Sequence, residues 1–144
     1  MNTMNNFNVD YIVKEEEGVV VCIISDCKFN AVALVDDYTD IFSPCCDIPN
    51  VFLLNDRYTG VAKCVNGDTF DEECGKRIAY KKAYLKYITA FEKKVKFIEK
   101  DHKKFINLIL EGFNKAVAKV NGKTEIAVQS LNKVLEEVNS NETT

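Results

Sequence analysis

Alternation of apolar and polar residues opens the chain. In FNVDYIVK, residues 7–14, Val9, Tyr11 and Val13 fall on one face, the period-two pattern of a half-buried strand. EEEG then reads as a turn, with Gly18 supplying the permissive backbone. VVVCIIS, residues 19–25, is a β-branched run and predicts a second strand buried on both faces or nearly so. Together these segments predict an antiparallel hairpin.

DCKFNAVALVDDYTDIF, residues 26–42, is ambiguous. Asp26 could cap a short helix beginning near Lys28, but FNAVALV favours strand character at the start. SPCCDIPN carries two prolines in six residues and predicts a loop. VFLL and RYTGVAKCV read as strand material split by a turn at Asn55-Asp56, and Gly60 within it signals a bulge or a close backbone approach.

After the turn NGD, Thr69-Phe70-Asp71-Glu72 has the S/T-x-x-E form of a capping box, with acids suited to the positive end of a helix dipole. Tyr84, Ile88, Phe91, Val95, Ile98, His102, Phe105 and Ile109 then recur at alternating intervals of four and three, a heptad seam. A helix over residues 71–121 would be about 75 Å long at ~1.5 Å per residue, too long for a compact core. It therefore bends back or packs against another chain, and KDHKK is the plausible bending point. Asn121-Gly122 predicts its end. Residues 124–138 form a second amphipathic helix, with Ile126, Ala127, Leu131, Val134, Leu135 and Val138 turned inward. The expected class is α+β. A small N-terminal antiparallel sheet (residues 1–70) is followed by two C-terminal helices (residues 71–144), the first very long and helping to form an oligomer, all as one compact unit.

The net charge of −3 conceals an asymmetry. Residues 1–75 carry four Lys/Arg against fourteen Asp/Glu, whereas residues 76–104 carry eleven against three. A basic helix following an acidic head is a solvated face or an anion-binding surface. The start of the chain lacks the basic and apolar regions of a secretory signal, and no apolar run approaches the length of a membrane span, so a cytosolic protein is expected.

Catalytic signatures are weak. His102 is the single histidine, it falls on the seam, and none of the six cysteines forms C-x-x-C, so metal spacing is missing and no cofactor is expected. GDTFDEECG lacks both phosphate-cradling glycine patterns. What remains is binding. Both arginines of the chain, Arg57 and Arg77, flank the junction into the long helix, whose first N–H groups suit an anion. A guanidinium forks onto phosphate as an ammonium does not. Phe70 could stack on a base or act as a buried staple, and Arg77 could instead pair with Glu73. Tyr80 and Lys81 lie one turn beyond, and the turn residues Asn66 and Asp68 complete the candidate ligand set, with Asp68 or Asp71 suited to ribose hydroxyls.

RYTGVAKCVNGDTFDEECGKRIAYKKA, residues 57–83, resembles a segment of small phage-encoded proteins: G-V-A-K-C on a strand, a polar turn, D-T-F-D, then G-K-R-I-A on a helix. With the preceding hairpin and the helices behind it, the chain is similar to the Thoeris anti-defence 1 family of phage sponge proteins. That resemblance implies a non-enzymatic protein that sequesters glyco-cyclic ADP-ribose, the signal of TIR-domain defence proteins, without cleaving it. Some members are said to hold cyclic oligonucleotides at separate sites. It also implies pairing through the long helices into larger oligomers, a hexamer among them, with pockets near subunit interfaces, in the cytoplasm of an infected bacterial host. Two other readings stand beside it: a phage nucleic-acid-binding or regulatory protein using the basic helix, and a structural oligomerisation module.

Overall fold

The hairpin forms as the alternation predicts. In the computed structural model, which describes residues 6–42, 47–65 and 69–143, β1 (Asn8–Lys14) pairs antiparallel with β2 (Val19–Ser25), Tyr11 opposite Cys22. A single 3₁₀ turn, Glu15–Glu17, joins them, and Gly18 closes it in the left-handed region at φ 63°. β3 (Tyr58–Lys63) pairs antiparallel with the other side of β2, Cys22 opposite Gly60, giving the sheet order β1-β2-β3. The last long element is α2 (Glu72–Glu142), so the chain is α+β, with an N-terminal antiparallel sheet and a very long C-terminal helix.

Three local expectations change. The segment read as a strand after Asp26 contains α1 (Asn30–Thr39). Asp26 does not cap it: its backbone takes φ 64°, and Phe29 is the N-cap. The helix is held by its own inner face, Ala31 and Val32, and by the buried amide of Asn30, which donates to Asn6 O at 3.0 Å and to the Tyr87 hydroxyl at 3.0 Å. VFLL is no strand either. Asn50–Phe52 is a 3₁₀ turn closed by Phe52 N–H on Pro49 O, after which Leu54 N–H reaches Lys28 O at 2.9 Å. Of the SPCCDIPN loop, residues 43–46 lie outside the described residues.

The chain divides into two compact units, Met1–Lys100 and Asp101–Thr144, so the first part of α2 belongs to the sheet-bearing unit, past the expected boundary at residue 70. Within that unit α2 packs on the face carrying Val20, Cys22 and Ile24. Its first four buried positions step by four, Ala79, Ala83, Tyr87 and Phe91, and Ile98 follows seven residues on. Small residues come first because the backbones nearly touch there. A Cβ on Gly60 would lie 2.0 Å from Ala79 O and 2.5 Å from Ala83 N, and one on Gly75 would lie 2.7 Å from Val20 Cγ2. Farther along, the gap is filled by aromatic rings: Tyr87 packs edge-on to Tyr58 at 5.7 Å, to Phe91 at 5.8 Å and to Phe7 at 5.2 Å. Burial pushes the Tyr87 hydroxyl up to about 12, with the Asn30 hydrogen bond opposing. Gly60 is therefore the close backbone approach its sequence signalled. The strand β2 is buried on this face and half-buried on the other, so one side of the sheet stays partly open.

The helix start lies two residues later than the capping box suggests. Asp71, not Thr69, is the cap: its Oδ1 accepts from Cys74 N–H at 3.1 Å and its carbonyl from Gly75 N–H at 2.9 Å. Asp71→Ala should cost about 1 kcal/mol of stability in urea unfolding, within the range of ~0.5–2 kcal/mol for a lost N-cap.

In the second unit, residues 103–143 are exposed throughout. The expected break at Asn121-Gly122 is absent, and α2 runs on to Glu142 as one helix in place of two. Gly122 keeps a negative-φ helical backbone, and no proline follows to force the chain out. The residues expected to face inward along 124–138 are exposed, Leu131 at 59 % and Leu135 at 51 %. Among the described residues no further helix follows α2, so the second C-terminal helix expected here is absent.

Candidate binding surface at the start of the long helix

Where β3 ends and α2 begins, the close packing of Gly75 on Val20 leaves a cavity of about 240 Å³. Val20, Ala62, Lys63, Phe70, Cys74 and Ile78 are among its walls. Phe70 is half-buried and also packs on the core, so it serves both as helix-entry staple and as cavity wall. A shallower notch of about 170 Å³ adjoins it through Cys74 and Ile78 and is bordered by Arg77 and Lys81. Phe70, Arg77 and Lys81 thus lie on one connected surface. Arg77 makes no ion pair among the described residues; the partner of Glu72 and Glu73 is Lys76, at 2.6 and 3.7 Å.

The other candidates go elsewhere. Tyr80 turns to the opposite flank, stacked on Tyr84 at 5.9 Å, with burial raising its hydroxyl pKa. Arg57 precedes Tyr58, whose ring lies against Tyr87. Arg77 comes ten residues before Tyr87 on α2, roughly 15 Å along a helix axis. The two arginines are therefore anchored at different levels of the helix, and neither of these hollows is lined by both. Asn66 and Asp68 lie outside the described residues. The helix N-terminus itself is taken by the Asp71 carboxylate, with Glu72 and Glu73 beside it, so phosphate there would meet negative charge.

Sequence reasoning missed the role of the lysines. β3 is an edge strand, and its outward carbonyls are covered by α2: Lys82 Nζ donates to Val61 O at 2.9 Å and Lys86 Nζ to Thr59 O at 2.7 Å. Lys94 Nζ donates to Val51 O at 2.8 Å, and Lys96 pairs with Glu92 at 2.7 Å. Much of the basic run is thus engaged with its own chain, blunting a strand edge that would otherwise pair with others. The signal was their i, i+4 spacing on the flank next to Ala79 and Ala83. A broader hollow of about 600 Å³ lies by Lys28, Phe29 and Leu53, and none of the expected ligand residues borders it.

Burial holds the thiols of the sheet-bearing unit's core in their neutral form. Burial raises the Cys22 thiol, and takes the Cys27 thiol up to about 11 with help from Asp56 and Asp26. Thiols so placed are protonated at pH 7 and poor nucleophiles. Among the described residues no group of three or more His, Cys, Asp or Glu is arranged to hold a metal ion, and no helix is long and apolar enough to cross a membrane.

No family model, no curated protein and no solved structure matches this chain. The motif behind the family resemblance has a packing account of its own. Gly60 of G-V-A-K-C and Gly75 and Ala79 of G-K-R-I-A are the positions where strand and helix backbones meet. Those residues are required by the close crossing, whatever the protein binds.

Proposed function

We propose that the protein works by self-association, as a non-catalytic assembly protein whose residues 101–143 pair with other copies. The observation that carries this reading is the exposed apolar seam of that helix. Ile106, Leu110, Phe113, Val117 and Val120 recur at alternating intervals of four and three, and the rhythm continues through Leu131 to Val138. Ile106 is 52 % exposed and Phe113 65 %. This seam lies one residue on from the Phe105–Ile109 line that closes the predicted heptads. Helices draw most of their stability from packing an apolar face, and a heptad seam is matched by another helix. Asn121, Gly112 and Gly122 add to the need for a partner, since each glycine costs about 1 kcal/mol relative to alanine in a helix. Sedimentation velocity over a concentration series tests it: assemblies at micromolar chain support the reading, and monomer throughout ends it.

A second reading keeps the resemblance: sequestration of glyco-cyclic ADP-ribose, uncleaved, at the Phe70 surface. Supporting it are an aromatic wall and three cations, Lys63, Arg77 and Lys81, around connected hollows. The main cavity falls below the ~300–1,000 Å³ usual for small-molecule sites, so a second chain would have to complete it. Incubation with the signal, washing and release by heat should return it intact. Phe70→Ala should then weaken retention by about fivefold to 150-fold, the equivalent of about 1–3 kcal/mol of base stacking. No retention by the assembled protein removes this reading and leaves the first. The nucleic-acid reading is disfavoured by the lysines spent on edge carbonyls, and binding of random oligonucleotides with a steep salt dependence would restore it.

A further inference from the structure

The charges along residues 101–144 change sign midway. Residues 101–123 carry five lysines and two acids, and residues 124–144 carry one lysine and four acids. A segment of this kind is complementary to itself reversed. Laid parallel and in register on a second copy, it would set basic half on basic half and acidic on acidic; laid antiparallel, it sets basic on acidic at both ends. The apolar seam has the same reversal symmetry. Counting inward from its ends, the four-three rhythm reads identically in both directions, so every seam position meets a seam position when the helix is turned end for end.

We propose that the helix of residues 101–143 pairs antiparallel with the same segment of a second copy, in the register that sets Ile106 against Val138 and puts the twofold axis level with Gly122. Leu110 then meets Val134, and Phe113 meets Leu131, bulky against branched at each layer. Val117 meets Ala127 toward the middle, and Val120 meets Thr124 beside the axis. Asn121 of each copy flanks the axis on one side, where two amides can donate and accept reciprocally. Lys123 of each copy flanks it on the other, the one like-charge approach in the arrangement. Gly122 sits on the outward side of the helix at this level, which leaves its missing side chain without consequence for the seam. The second copy is favoured as occupant because the complementarity lies within one sequence and needs no other partner.

This inference rests on the self-association reading, and the test separates the two. Full-length Ile106→Cys and Val138→Cys proteins are oxidised alone and as an equal mixture, and the bridged peptides are identified by mass spectrometry, which keeps the native thiols distinct. In the proposed register two copies of residue 106 stand roughly 48 Å apart along the axis, far beyond disulfide reach, while 106 and 138 are level. The mixture should therefore give 106–138 bridges, and neither protein alone should give same-site bridges. The Leu110→Cys and Val134→Cys pair repeats the test nearer the axis, should a terminal layer fray. Same-site bridges at 106 would overturn the antiparallel orientation while leaving self-association standing. A self-associated protein giving neither bridge would place the pairing elsewhere and also overturn it. A wild-type protein that sediments as a monomer would remove both.

Discussion

Gly60→Ala is expected to be the most damaging single methyl group that can be added to this protein. The new Cβ would fall 2.0 Å from Ala79 O and 2.5 Å from Ala83 N, both backbone atoms of α2. A flexible side chain could swing aside; a helix backbone cannot. Either β3 or α2 must retreat by more than an ångström, and the contacts of Ala79, Ala83 and Gly75 with the sheet open together. Overpacking a core usually costs about 1–3 kcal/mol, and a clash with main chain should exceed that. Against a total of about 5–15 kcal/mol for a domain, residues 1–100 should lose most of their margin. Urea unfolding followed by circular dichroism and by tyrosine fluorescence of the Tyr58–Tyr87 cluster would measure it. Gly112→Ala supplies the opposite sign in the same chain. A Cβ there meets nothing within 4 Å, so the helix should gain up to about 1 kcal/mol. If Gly60→Ala proved as mild as Gly112→Ala, the close crossing would be wrong.

The same crossing explains what the sequence displayed and what it hid. β1 and β2 were legible because their alternation and Gly18 are local: period, β-branching and one left-handed residue suffice. β3 and the long helix were legible for the same reason. α1 was not. Its apolar residues fit a strand or a helix equally over so short a run, and what decides is tertiary, the Asn30 amide bridging Asn6 and Tyr87. The capping box failed because Asp71, two residues closer to the first turn than Thr69, took the Cys74 N–H. The end at Asn121-Gly122 failed because a glycine stops a helix when it turns left-handed, and Gly122 does not.

The candidate site was legible in part. Phe70, Arg77 and Lys81 were placed on one surface by position alone, since they follow each other around one helix start. Arg57 borders neither of the hollows there, for a reason of chain direction. β3 runs into the turn and α2 runs back along it, so residues close to the turn on the helix face the end of the strand. Arg57 comes just before β3, whose first residue, Tyr58, lies against Tyr87, ten residues beyond Arg77. Proximity in sequence on either side of a turn predicts proximity in space only for residues equally far from it. The lysines misled for a related reason: a run of charge has no visible purpose until an edge strand lies beside it, and here Thr59 and Val61 supply the carbonyls.

The second large effect belongs to the seam. Leu110→Asp with Leu131→Asp, on the full chain, should abolish self-association at concentrations where the wild type is assembled. Both positions are exposed, at 54 % and 59 %, and both belong to the second unit, so the fold of residues 1–100 should be untouched. In an assembly each carboxylate would be buried against apolar side chains of a partner, and an unpaired charge there costs several kcal/mol in practice. Two such sites per chain correspond to at least a thousandfold weaker association, since about 4 kcal/mol is three powers of ten. Sedimentation would then report monomer. Circular dichroism would also report lost helix from residues 101–143, because an amphipathic helix deprived of its partner keeps little beyond intrinsic propensity. The paired readout matters. A drop in mass with helicity unchanged would mean that the seam holds the copies together while the segment stays helical without its partner. Unchanged mass would place the contact between copies outside the seam, and the exposed leucines would need another explanation.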